Sequence, residues 1–243
     1  MKVQQKVLIG VSLVLASFGA QAQDSRTPID TCQAISSEGS YVLTANLSAS
    51  GNCIEIQASN VTLDLNGFTI SGNGSGEGVT TGGGTARSGI TVRNGVVRNF
   101  RHGVYLIGSG STIERMSAMD NAHTGFLASG ARVIDSVALR NVDTGFNLGA
   151  RSSITGSTAT NNGDGINVST GSTVINNIVG LNTRHGILAG NGSVVSNNSV
   201  LGQGSLGIYL NCPSLATGNT STANGTNLVQ SGTGCVVTGN VAP

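Results

Sequence analysis

The stretch "NNGDGINVSTGSTVINN", Asn161 to Asn177, holds a single acid, Asp164, and no Lys or Arg. It reads as an alternating segment led by Gly165, a Gly corner, and a second apolar segment that ends on amides. What decides the fold is that the pattern returns. Segments opening with Gly and an apolar residue stand at Gly103, Gly125, Gly145, Gly165, Gly186 and Gly207, spaced by 22, 20, 20, 21 and 21 residues, and "NLVQSG" at Asn227 continues them after 20. Such a period marks stacked repeats, none of which buries its apolar face alone.

Within each segment apolar residues alternate. Val104, Phe126, Phe146, Ile166, Ile187 and Ile208 stand one past the Gly; Leu106, Ala128, Leu148, Val168, Ala189 and Leu210 stand three past it. Period two predicts strands with one buried face. The residues between, Tyr105, Leu127, Asn147, Asn167, Leu188 and Tyr209, then face outward.

Amides recur in the same register. Asn177, Asn198, Asn219 and Asn240 form one column, and Asn121, Asn141, Asn162, Asn182, Gln203 and Asn224 another. Stacked side-chain amides hydrogen-bond along a stack, and a turn Asn tolerates left-handed backbone; both roles are expected once per coil. A leucine-rich repeat needs denser Leu, and a calcium-binding nonapeptide roll needs Asp every nine residues; neither appears. The pattern predicts an all-β parallel β-helix solenoid of about ten coils, about 21 residues each. At ~4.8 Å per coil the rod is roughly 48 Å long.

Residues 1–22 read as a signal peptide: Lys2 and Lys6, an apolar core from Val7 to Phe18, and Ala20-Gln21-Ala22 as the cleavage site. Residues 23–243 are then one domain, exported to the periplasm or secreted, and no membrane span is expected. Without its two lysines the chain carries ten Arg against eleven acids, which does not suit nucleic acid as a partner. In an oxidising compartment Cys32, Cys53, Cys212 and Cys235 are expected to pair, Cys32 with Cys53 and Cys212 with Cys235, one bridge near each end. The Gly-rich run 72–88 reads as a mobile surface excursion from the coils.

The N-terminal "GSYVLTANLSASGNCIEIQASNVTLDLNGFTISGNG", Gly39 to Gly74, and the later repeats of the form G-I-x-L…V-x-x-N-x-V-x-x-N resemble secreted bacterial right-handed parallel β-helix proteins, the pectate-lyase-like superfold. The resemblance runs from Thr31 to Asn240. It implies a right-handed solenoid and a polysaccharide or cell-surface glycan as partner. Because the superfold hosts lyases, hydrolases, epimerases and binding proteins, activity has to be argued from the residues.

No complete catalytic constellation appears. "NNGDGI" supplies one Asp where a polygalacturonase-like site needs two; "RHG" at Arg101–Gly103 and Arg184–Gly186 is not Gly-His-Gly; and the Asp-Pro-His-Asp run of mannuronan epimerases is missing. Metal spacing and cofactor motifs are absent too, so no metal and no cofactor is expected. One polar column lies just before the Gly-led strands: His102, His123, Asp143, Asp164 and His185. Stacking would bring His123 near Asp143, and Asp143 near Asp164, within reach of glycoside acid–base chemistry. The simpler reading makes them polar corner residues, Asp before Gly being ordinary turn chemistry. The same register stacks Arg115 on Asp135 and Asp120 on Arg140, as structural charge pairs.

Three functions follow: a monomeric β-helix that binds, or binds and processes, a polysaccharide along the Gly-led face, with Tyr105, Asn147 and Asn167 as contacts; a lyase, hydrolase or epimerase using the His/Asp column; or a structural or adhesive surface protein without a sugar ligand.

Overall fold

The computed structural model describes residues 25–82 and 84–243. The expected signal peptide lies outside the described residues. The chain winds as a right-handed parallel β-helix of about ten coils. Ten strands stack in parallel to form the Gly-led sheet, including His102–Leu106, Phe126–Ala128, Thr144–Leu148, Asp164–Val168, Ile187–Ala189 and Leu206–Asn211. Eighteen further strands form two more stacks, a second and a third sheet, joined where Thr91–Arg98 and Thr112–Met119 run through the bend between them.

Register follows the sequence period. Val104 pairs with Phe126, Phe126 with Phe146, and Ile166 with Ile187, so each buried column is continuous through the rod. Phe126 and Phe146 stack face to face, ring centroids 4.8 Å apart. The alternate residues Tyr105, Leu127, Asn147, Asn167, Leu188 and Tyr209 occupy one half-buried outward column.

Each corner is built from two neighbouring residues with different duties. The first takes left-handed backbone: Asp120, Arg140, Asn161 and Leu181 at one corner, with φ between 53° and 56°. The second points inward and joins a ladder. Asn121 donates to Asn141 at 2.8 Å, Asn141 to Asn162 at 2.9 Å, Asn162 to Asn182 at 3.1 Å, and Asn182 to Gln203 at 2.9 Å. The same Oδ1 atoms accept a backbone N–H from the preceding coil, and the second amide proton goes to a strand carbonyl, as from Asn162 to Ala138. A buried amide is thereby fully satisfied. Asn177, Asn198, Asn219 and Asn240 make the matching ladder at the next corner. Both expected roles recur once per coil, on adjacent positions: a turning backbone, as at Asn161 and Asn176, and then an inward-pointing side chain, as at Asn162 and Asn177. A third ladder, of serines, completes the set: Ser152 accepts from Ala131 N–H, Ser172 from Ser152, Ser193 from Ser172 and Ser214 from Ser193.

These ladders explain the leading Gly. A Cβ on Gly145 would lie 2.7 Å from the Gly165 carbonyl oxygen and 2.9 Å from the Asn162 amide nitrogen, so close coil-to-coil approach excludes a side chain.

Cys32 and Cys53 are joined, with Cα atoms 4.5 Å apart, as are Cys212 and Cys235 at 4.9 Å. Each bridge spans one coil step. Two expectations are corrected. Within the run 72–88, Glu77–Thr80 is a strand of the Gly-led sheet, paired with Ile54 and Glu55 on one side and with His102, Val104 and Tyr105 on the other; Val79 and Thr80 are buried in it. Arg115 does not pair with Asp135. It donates to the neighbouring Glu114 at 2.7 Å and to Asn94 at 2.8 Å, its long side chain reaching back one coil rather than forward. Arg140 and Asp120 do pair, through two hydrogen bonds of 2.7 and 3.0 Å.

Candidate functional site

The Gly-led sheet has two edges, and the polar column leads into it at one of them. His102 is buried there. Its ring lies 5.6 Å from that of His123 and 5.8 Å from that of Tyr105, and its Nδ1 has no hydrogen-bond partner. Burial, then the Arg101 and His123 charges, lower its pKa to about 4 against a smaller opposing pull from Asp143, so the ring is neutral near pH 7.

Asp143 and Asp164 are brought together as the register implies, but Arg184 stands between them. Its Nη2 lies 2.6 Å from Asp143 Oδ1 and 2.6 Å from Asp164 Oδ2, while its Nε reaches Asp164 Oδ1 at 3.1 Å. Asp164 Oδ1 also accepts the backbone N–H of His185 at 3.1 Å. His185 turns its Nδ1 to the Leu206 N–H at 3.4 Å. No side-chain hydrogen bond joins His123 to Asp143 among the described residues. The two carboxylates thus share one guanidinium, whose own pKa is raised by them. The arrangement is that of an ion bridge, in which Asp164 accepts from the guanidinium on both oxygens and Asp143 on Oδ1 alone.

Concavity lies at both edges: on the polar-column side a depression of about 360 Å³ is lined by Asn73, Asn99, Asp120 and Ala122, and a series of three lies at the other edge, where the strands end. A depression of about 380 Å³ is lined by Asn167, Leu188 and Tyr209 of the outward column and by Ser169, Thr170 and Asn191 of the following corner. Thr170 also lines a second depression, of about 520 Å³, with Ser129, Gly130 and Arg151. Gly130 and Arg151 then line a third, of about 280 Å³, with Ser111 and Arg132. The three run together as one oblique furrow, from Tyr209 over the corner onto the second sheet. Of the residues singled out in the outward column, Asn167 lines this furrow; Tyr105 and Asn147 share its column but lie outside its walls. The alternation reveals which residues face out, but concavity arises from small residues at corners, Gly108, Ser129, Gly130, Ala150 and Gly171, which a turn pattern does not distinguish from ordinary punctuation.

The A-module of the mannuronan C-5 epimerase AlgE4 from Azotobacter vinelandii has a similar structure, with a TM-score of 0.63 and 18% identity over 79% of this chain and 72% of that one. The Dettilon tailspike protein gp208 is similar at a TM-score of 0.64 and 15% identity, over 88% of this chain; the chain spans about half (53%) of that protein. Both likenesses concern the fold. No curated protein matches the chain. The family profile described as periplasmic copper-binding protein (NosD) matches residues 88–241, more than half of the chain, and the protein belongs to that family.

Proposed function

We propose that this periplasmic protein binds an extended polysaccharide without processing it, seating the chain in the furrow that begins at Tyr209, Leu188 and Asn167. The periplasm agrees with the family and with the two disulfides. The observation that carries the reading is the furrow itself: an aromatic ring, an aliphatic wall and an outward amide converge on an elongated surface, which suits stacking on a sugar ring and hydrogen bonds to hydroxyls. The similar fold of a mannuronan epimerase is consistent with it. The Arg184 clamp on Asp143 and Asp164 speaks against the His/Asp column as catalytic machinery.

Copper, named in the family description, does not fit the donor set. All four Cys are in disulfides; of the described methionines, Met116 is buried in the core and Met119 is half-buried on the same strand; and among the described residues no group of three or more His, Cys, Asp and Glu is placed to hold a metal ion. The test is titration with the best ligand from a glycan array. Tyr209→Ala and Asn167→Ala should each weaken binding about tenfold. Wild-type affinity in both variants would sink the proposal.

A further inference from the structure

The arginines divide into two sets. Arg26 and Arg93 reach Asp64, Arg115 reaches Glu114, Arg140 reaches Asp120, Arg184 reaches Asp143 and Asp164, and Arg98 donates to the Ser71 hydroxyl. Among the described residues, Arg87, Arg101, Arg132 and Arg151 make no side-chain hydrogen bond or ion pair. Two of these four, Arg132 and Arg151, line the same 280 Å³ depression, and no Asp or Glu shares its wall. Arg87 lies close by, its backbone against Gly108 and its Nε buried without a partner.

Behind Arg132 and Arg151 the wall is closed by Ser111, which is 1% exposed with its Oγ buried and without a hydrogen-bond partner. It stands at the head of the inward serine column, but one coil on the column holds Ala131, so the ladder begins only at Ser152. The groups that face the depression with donors to spare are therefore the two guanidiniums.

We propose that Arg132 and Arg151 form a subsite for an anionic substituent of the glycan, a carboxylate or a sulfate ester. The guanidiniums supply forked donors. This rests on the furrow as a polysaccharide site and deepens it, since Arg151 also lines the depression that joins the Tyr209 end. The chain bound there is acidic, with its sugar rings toward Tyr209 and its charge over the corner.

The test compares three oligomers of equal length: an oligouronate, a sulfated neutral oligosaccharide and its unsulfated parent. The variants are chosen to fold. Arg151 has left-handed backbone, φ 59°, which Asn tolerates, and Ala131 already occupies the Ser111 column. Arg132→Gln with Arg151→Asn should weaken the preferred anionic oligomer tenfold or more, on the order expected for charged hydrogen bonds, and flatten its salt dependence. Ser111→Ala, behind the wall, should leave its binding unchanged. Arg101→Gln removes one equally unpaired charge at the opposite edge and should change little. The neutral parent should bind the wild type and the double variant alike, and whichever anion loses more identifies the source. The inference is overturned if the wild type prefers neither anion to the neutral parent, or if Arg101→Gln costs as much as the double variant. Loss of neutral binding in Tyr209→Ala would still uphold the furrow in that event, so the two failures are distinguishable.

Discussion

Arg184 forks onto both carboxylate oxygens of Asp164 one coil earlier, and the same Nη2 bonds Asp143 two coils earlier. One side chain thus ties three successive coils at the edge where the polar column runs. Arg184→Gln leaves Asp164 largely buried without its cation. Stability should fall by about 1–3 kcal/mol, less than for a fully buried pair because Arg184 is half exposed. Adding Asp164→Asn should restore much of the loss in a thermal melt, while glycan affinity stays at the wild-type level throughout. Loss of binding in the double variant would move the site to this edge.

The amide ladders make a sharper demand. Asn177 accepts the Ser157 N–H at 2.9 Å and donates to Ile154 and Asn198. Asn177→Ala should cost about 1–3 kcal/mol. Hydrogen exchange should quicken first at Ser157, and furrow binding should survive in the folded protein. Unaltered exchange at Ser157 would count against the ladder.

Acid should loosen the N-terminal coils. Asp64 is buried, which alone would raise its pKa; the Asn66 N–H, the Asn94 amide, Arg93 and Arg26 outweigh that and hold it below the ordinary carboxylate value. A depressed folded-state pKa stabilises above the unfolded value of about 4 and is lost as pH falls through the folded one. Melting temperature should therefore be level above about pH 5 and drop below about pH 4. Asp64→Asn should be less stable at pH 7, with its curve converging on wild type in acid. Parallel curves would refute the assignment.

The two disulfides guard the ends. Opening Cys212–Cys235 by paired Ser substitution should cost about 3 kcal/mol for a loop of this size. In a solenoid each coil touches only its neighbours, so exchange should accelerate around Thr226–Ser231 and Val236–Thr238 and not at the Phe126–Phe146 stack.

Much of this architecture is legible in the sequence, because a parallel stack turns one spatial column into one sequence period. The buried positions around Phe146, the amide columns through Asn162 and Asn177, and the two disulfide partners all repeat at coil length. The serine column, Ser152, Ser172, Ser193 and Ser214, carries the same signal, but it is lost in a chain where Ser is everywhere at turns. Arg184 escapes notice for another reason: a long flexible side chain chooses its partners across coils, and its reach to Asp143 and Asp164 is set by rotamers rather than period. Arg115, drawn to its own neighbour Glu114, shows the same freedom with the opposite outcome. The strand Glu77–Thr80 is hidden because glycines surround it, and only pairing to both neighbours distinguishes it from loop.

All three ladders bond in one sense, each backbone N–H reaching forward to the side chain of the coil ahead. A cut between any two coils therefore exposes the same donors on one face and the same acceptors on the other. Duplicating or deleting one whole coil, about 21 residues, rejoins every seam and changes the reach of the surface by one ~4.8 Å step. An insertion of one residue in a strand instead turns its outward column inward. Heritable change in the length of polymer such a protein spans is thus graduated like a ruler, in whole divisions.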